Sequence, residues 1–248
     1  MRIWLNEREI TGLCTRVIVD KNIDAAGAEA RIRAVCAPED SRLPGIDPAC
    51  GDQVTVEEDG ETVFAGWVKT VKYDAAALML EIECRDPAAL LARWECREAY
   101  KGTAAGITRQ ICRECGLEAG EIWDTEGELR LPAAAGRSAF HAIRKLYDGG
   151  CVVDFRDGAV NVRPAGEYRG VLQSGRLCGL TAGNAADGEG GVVRQARLTV
   201  TGRSTVRCGE LLEPDRPMMG VFGTYQVTQV RQKWEKGMAT TELGMVSV

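Results

Sequence analysis

The sequence predicts a mainly β protein with an α+β insert, and three observations carry that reading. Leu78, Leu80, Ile82 and Cys84 alternate with Met79, Glu81 and Glu83, the period-two pattern of a half-buried strand. From about Asp86 the apolar spacing changes to that of helices. After Pro164 it returns to alternation, with Ala196, Leu198 and Val200 set against Arg197, Thr199 and Thr201. The order is β, then α/β, then β.

Each element follows from local chemistry. Val54 and Val56 lead to Asp59-Gly60, and Thr62 to Tyr73 resumes with β-branched and aromatic residues. Asp-Gly between two such runs predicts a hairpin, because a type I′ turn needs positive φ at both central positions. Leu43 to Pro48, with two prolines and a glycine, predicts a loop before it. Asp86-Pro87 predicts the cap and first position of a short helix reaching Trp94. Thr103 caps a second helix with Ile107, Ile111 and Cys115 on one face, ended by Gly116. Ser138 caps a third, with Phe140, Ile143, Leu146 and Tyr147 buried and Gly149-Gly150 as its stop. Cys151 to Arg163 predicts a second hairpin around Asp157-Gly158. Ala182 to Gly191 predicts a flexible glycine-rich loop, and Thr224–Trp234 with Ala239–Val248 predict a closing strand pair. Val68-Lys69-Thr70-Val71-Lys72 is echoed by Val227-Thr228-Gln229-Val230-Arg231, a weak internal likeness.

Composition excludes several classes. In 248 residues, 45% are hydrophobic and 27% charged, which is globular rather than disordered. Thirty-one Lys+Arg against 36 Asp+Glu give a net charge of −5, so a basic coat for nucleic acid is not expected. The charge is uneven: residues 1–95 hold 11 basic against 18 acidic groups, residues 96–165 balance, and residues 166–248 carry a small positive excess. Met1 to Ile10 carries Arg2, Glu7, Arg8 and Glu9 and has no apolar core of signal-peptide length. No uncharged apolar run approaches the ~20 residues that span a bilayer. Synthesis in the cytoplasm, with the ten cysteines reduced, is the expectation.

A search for chemistry returns no site. Cys112-Arg113-Glu114-Cys115 lies at the C-terminal end of its helix, where the dipole disfavours a thiolate, and no second Cys-x-x-Cys completes a zinc set. Cys115 and most of the others read as small buried hydrophobes. The one histidine, His141, follows Ser138 by three residues, yet Phe140 and Ile143 flank it and no Gly-x-Ser-x-Gly elbow is present. It reads as a helix-surface residue. Glu57-Glu58, Glu81/Glu83 and Asp154/Asp157 read as solvated strand faces or turns. Arg194, Arg197, Arg203 and Arg207 form a basic cluster without the interleaved aromatics that stack bases. The sequence therefore predicts no catalytic, cofactor-binding or metal-binding residue, and it identifies no contact residues for binding.

The order of landmarks carries a resemblance. Gly51-Asp52-x-Val54-x-Val56-Glu57-Glu58-Asp59-Gly60-x-x-Val63-Phe64-x-Gly66-x-Val68-x-x-Val71 resembles the first barrel of the baseplate hub family of Mu-like phages, PBSX-type prophages and the late-control D group. Cys84-Arg85-Asp86-Pro87-Ala88-Ala89-Leu90-Leu91, Tyr100-Lys101-Gly102-Thr103-Ala104, Gly136 to Leu146, Asp154 to Val160 and Gly223 to Val230 follow in the family's order. The family's closing strand runs into a histidine near Gln232, which is missing here. The chain is short for the family and shows no appended hydrolase or peptidoglycan-binding module, so a cell-wall-degrading role is not expected.

The resemblance implies two β-barrel domains, 1–95 and 166–248, flanking a small α/β domain, 96–165. It implies a non-enzymatic homotrimer whose six barrels match a six-fold tail tube to a three-fold spike in a phage tail or phage-like contractile particle. Tube, central spike, tape measure and other baseplate proteins are the implied partners, with no cofactor, no membrane insertion and no sequence-specific nucleic-acid binding. An acidic first barrel lining a channel that does not retain DNA is a further expectation. Another β-barrel binding module of a tail or secretion apparatus, and a Cys- or carboxylate-dependent enzyme, are the alternatives.

Overall fold

The computed structural model describes the whole chain except residues 38, 41, 44, 134–136, 173, 187–191, 217 and 219. Seven strands come first: β1 (Arg2–Leu5), β2 (Arg8–Glu9), β3 (Cys14–Asn22), β4 (Glu29–Val35), β5 (Gln53–Glu58), β6 (Glu61–Asp74) and β7 (Met79–Arg85). They are antiparallel neighbours in the order β3-β4-β7-β6-β5-β1-β2. Alternation explains their faces. Ala30, Ile32 and Ala34 of β4 are buried while Arg31 and Arg33 face solvent. Asp59 and Gly60 both take left-handed φ, 54° and 82°, as the hairpin reading required. Leu78 departs from its predicted place: it takes φ 52° in the turn before β7 and stays 46% exposed, so burial begins at Leu80.

The middle segment starts with a 3-10 turn (Pro87–Ala89) running into α1 (Leu90–Arg93). Asp86 holds the cap position there but its side chain does not cap. Its Oδ2 instead accepts from the backbone N–H of Ala28 at 2.7 Å, fastening the turn to the strand before it. Next come β8 (Tyr100–Gly102), α2 (Ala104–Glu114), β9 (Ala119–Ile122), β10 (Leu129–Leu131), α3 (Ala139–Leu146), β11 (Cys151–Arg156) and β12 (Ala159–Pro164). Thr103 and Ser138 cap α2 and α3 through bonds from Gly106 N–H and His141 N–H. Ile107, Ile111, Phe140 and Ile143 close a core of their own against β11, β12 and β9.

The last strands are β13 (Arg169–Leu172), β14 (Leu177–Ala186), β15 (Val192–Thr201), β16 (Leu211–Pro214), β17 (Tyr225–Glu235) and β18 (Met238–Ser247). The predicted flexible loop over 182–191 is corrected in its first half, because residues 182–186 pair along β15 from Ala182↔Ala196 to Ala186↔Val192. Residues 187–191 lie outside the described residues.

The two β regions share one topology. The order β3-β4-β7-β6-β5 is repeated as β14-β15-β18-β17-β16. The likeness reaches single residues. Between β6 and β7 the register shifts between Val68 and Thr70, with Val71 opposite Ile82; between β17 and β18 it shifts between Val227 and Gln229, with Val230 opposite Leu243. A second shared bulge lies between Cys14 and Arg16 of β3 and between Leu177 and Gly179 of β14. The extra residue's side chain does the same job in both, Thr15 Oγ1 donating to Arg33 O at 3.2 Å and Cys178 Sγ to Thr199 O at 3.3 Å. Bulges bend and twist a strand at one point, so matching bulges give the two five-stranded units matching curvature.

Each unit has its own apolar core, one around Val17, Ile32, Val56 and Ile82, the other around Leu198, Val227, Tyr225 and Leu243. The units are not separate sheets. β17 pairs with β3 from Gln229↔Asn22 to Glu235↔Arg16, which joins everything from β14 to β2 into one 13-stranded sheet. Among the described residues this ladder does not close on itself.

Candidate interaction surface

Most of the residues with chemical potential are buried or engaged in local structure. Cys112 and Cys115 are buried, and desolvation pushes their thiols up to about 11 and about 12, so neither is a ready thiolate. Cys84, Cys96, Cys151 and Cys208 are buried too, while Cys50 and Cys178 are exposed. Ser138 Oγ and His141 Nδ1 do meet, at 3.1 Å, on the solvent face of α3. The same Oγ accepts the His141 backbone N–H, which is a helix cap rather than a nucleophile held in a cleft. Glu81 and Glu83 sit on the open face of β7, where Glu83 accepts from Thr70 at 3.0 Å and pairs with Lys72. No group of three or more His, Cys, Asp or Glu among the described residues is gathered to hold a metal ion. No helix among them is long and apolar enough to cross a membrane.

The predicted arginine cluster is dispersed. Arg194 lies over the Phe222 ring at 3.9 Å, and Arg203 pairs with Glu58 and Glu61 across the two units. Arg203 thereby borders an open cleft of about 800 Å³ between the β5–β6 turn, the tip of the β11–β12 hairpin and the loop at 203–208. Asp154 and Arg163 face each other there at 3.8 Å, and Arg163 also donates to Cys208 O. Among the described residues, five basic and four acidic side chains line this cleft.

The surface with a legible design is the seam between units. Asp20 of β3 accepts from Gln229 Nε2 at 2.8 Å and from Arg231 at 2.6 and 2.9 Å. Trp234, at the far end of β17, reaches the core of the first unit and is 7% exposed. Ile23 N–H donates to Thr228 O at 2.8 Å. The Cys208 thiol donates across the seam to Lys21 O at 3.4 Å, and within its own unit to Thr228 O at 3.7 Å. Burial pushes that thiol up to about 12.

Both seam strands have counterparts that lack this pairing. The counterpart of β17 is β6, whose neighbours are β7 and, only over residues 61–67, β5. The counterpart of β3 is β14, which among the described residues pairs with β15 alone. Among the described residues, the outer edges of β6 from Thr70 onward and of β14 along its length carry no strand partner.

Sequence reasoning caught the Val68/Val227 echo but missed a second one beside it. Cys50-Gly51-Asp52-x-Val54 and Cys208-Gly209-Glu210-x-Leu212 occupy equivalent places. Gly51 N–H donates to Val68 O and Val68 N–H to Asp52 O; Gly209 N–H donates to Val227 O and Val227 N–H to Glu210 O.

Residues 25–149, half of the chain, match the family described as YQBQ-like. The chain belongs to the YQBQ-like family. No curated protein matches this YQBQ-like chain. Among solved structures it is similar to the 43 kDa tail protein of prophage MuSo2 from Shewanella oneidensis, with 15% identity and a TM-score of 0.78 over 99% of this chain and 96% of that one. It is similar to a tail protein from Neisseria meningitidis MC58, at 12% identity and TM-score 0.74 over 99% and 95%. A third likeness is to E. coli c3393, described as a component of the type VI secretion system, at 13% identity and TM-score 0.66 over 100% and 77%. At these identities the likeness is one of fold. The YQBQ-like chain thus has an architecture shared by phage tail proteins and a secretion-system component.

Proposed function

We propose that the chain is a structural tail protein acting as a baseplate hub, in which three copies form a ring of six related β units between a six-fold tube and a three-fold spike. The observation that carries this reading is the internal duplication. Two units with one strand order and matching bulges make each chain a pseudo-two-fold object, and three such chains present six near-equivalent units while retaining three-fold symmetry. Each unit is read as a barrel curled around its own core, the α/β segment 96–165 as a separate domain flanked by 1–95 and 166–248.

The fold shared with tail proteins, one of them from a prophage, supports the setting: synthesis in the bacterial cytoplasm, then incorporation in a tail baseplate or phage-like particle. Tube, spike, tape measure and other baseplate proteins are the partners this implies. The role is adhesion and symmetry matching, with no bond chemistry assigned to any side chain. The similarity to c3393, described as a type VI secretion component, extends the reading to a secretion apparatus.

Electron-microscopy class averages of particles carrying a tagged copy test it. Three tags per particle at the junction of tube and spike are expected. A stoichiometry of one or six, or a position along the tail shaft, overturns the reading.

A further inference from the structure

We infer that the free edge of β6, Thr70 to Asp74, pairs antiparallel with the free edge of β14, Thr181 to Ala185, of a second copy of this chain, in the register of the internal seam. The number of copies rests on the hub reading; the contact itself is derived from the duplication.

The seam is a worked example of how one unit receives the next. The shared bulges equate Val71 with Val230 and Leu180 with Val17. In the seam Val230 lies opposite Lys21, Arg231 opposite Asp20, Gln232 opposite Val19 and Lys233 opposite Ile18. Carried to the outer edges, this sets Val71 against Asn184, Lys72 against Gly183, Tyr73 against Ala182 and Asp74 against Thr181 of the neighbour. Because donor edge and acceptor edge differ, the contact is head-to-tail and propagates around a ring until it closes.

Three independent features fit an occupied edge. First, β14 reads LCGLTAGNAA, ten residues without a charge or a proline. Exposed edges are ordinarily guarded by such residues against unwanted pairing, and this one is not. Nor does any charge on it oppose Lys72 or Asp74. Second, Tyr73 and Leu78 stand 49% and 46% exposed at the end of the β6–β7 hairpin. In the bulge register they answer to Gln232, which is 9% exposed, and to Ala239, which packs against the neighbouring unit's core. Third, Cys50 and Cys208 are equivalent but differ in burial. Both thiols donate to the bulged residue of their own hairpin, Cys50 to Lys69 O at 3.2 Å and Cys208 to Thr228 O. Cys208 is buried under Lys21 of β3, whereas Cys50 is exposed. The counterpart of Lys21 is Asn184, so docking of β14 covers Cys50.

Native thiols report the contact. In the intact chain, maleimide labelling of Cys50 is expected to slow at least tenfold between the dilute free chain and the chain assembled with tube and spike. Cys178 is the internal control: its seam counterpart Thr15 stays exposed, so Cys178 keeps its rate. A Tyr73→Cys, Ala182→Cys chain is expected to cross-link between copies with a short bifunctional reagent, and a Tyr73→Cys, Thr181→Cys chain is not, since a one-residue shift turns the second thiol to the other face. If three copies are present per particle while Cys50 keeps its free-chain rate, or the shifted pair cross-links instead, the edge pairing is wrong and the hub reading stands. If the copy number differs from three while Cys50 is protected and the Tyr73/Ala182 pair cross-links, the pairing stands and the hub reading fails.

Discussion

The indole N–H of Trp234 donates to Glu58 Oε1 at 2.8 Å, so a residue near the end of the chain is anchored on the first unit. The ring also belongs to that unit's core, where Trp234 lies opposite Val17. Trp234→Ala should therefore lower stability by about 3–5 kcal/mol, the usual cost of deleting a buried aromatic side chain. Trp234→Phe keeps most of the packing but leaves Glu58 Oε1 without its indole donor, at about 1–3 kcal/mol. Urea midpoints read both. Equal losses for the two variants would mean that the hydrogen bond, not the packing, holds the seam.

Asp86 gives the protein a pH response. Burial pushes its carboxyl up to about 6, against the bond from Ala28 N–H and the charge of Lys21. An unfolded aspartate titrates near ~3.9, so the folded state favours the protonated form. The stabilisation is complete below about pH 4 and is lost as pH rises through about 6, an effect of about 3 kcal/mol at ~1.4 kcal/mol per unit. Asp86→Asn keeps an acceptor for Ala28 and does not titrate. The difference in unfolding free energy between native chain and variant should change by that amount between pH 4 and 7; parallel curves would refute the assignment.

Gly51 and Gly209 are equivalent, with φ of 96° and 83°, but their surroundings differ. A Cβ on Gly51 meets open space, whereas one on Gly209 lies 2.3 Å from Val152 Cγ2. Gly51→Ala should cost only the left-handed backbone penalty, about 1–2 kcal/mol. Gly209→Ala adds overpacking of about 1–3 kcal/mol. Thermal or urea unfolding of the two variants checks the order.

The Cys112/Cys115 pair should behave as core. A small alkylating agent at pH 7.5 should modify Cys50 and Cys178 in the free folded chain and leave Cys112 and Cys115 intact until urea is added. Mass mapping of the modified peptides decides it, and rapid native labelling of Cys112 or Cys115 would reopen a thiol-based role.

Much of the fold was legible because its signals are local. Asp59-Gly60, Asp157-Gly158 and the caps Thr103 and Ser138 act within three or four residues, and the structure places turns and helix starts at those positions. Asp86 misled because its carboxylate has a second claimant, Ala28, which lies 58 residues away. The duplication was half visible. Cys14 answers to Leu177, Ala34 to Val200, Val71 to Val230 and Ile82 to Leu243, so the spacing changes with each loop and no fixed period survives. Identity survives mainly at bulges and at Cys-Gly-acid, where backbone geometry limits the choice. The seam was illegible: Gln229 and Asp20 are 209 positions apart, and an edge's vacancy is a property of pairing, not of residue type.

The pairing of β17 with β3 also sets an order of events during synthesis. β3 leaves the ribosome early and stays uncovered until almost the whole chain has followed. Through that interval it offers an open edge, as β14 does in the finished fold. Contacts of such long sequence separation form slowly. Two chains translated side by side can therefore pair the β17 of one with the β3 of the other before each closes its own seam, which yields exchanged dimers. Spacing between ribosomes, as much as the stability of the finished fold, then governs how many chains close their own seam.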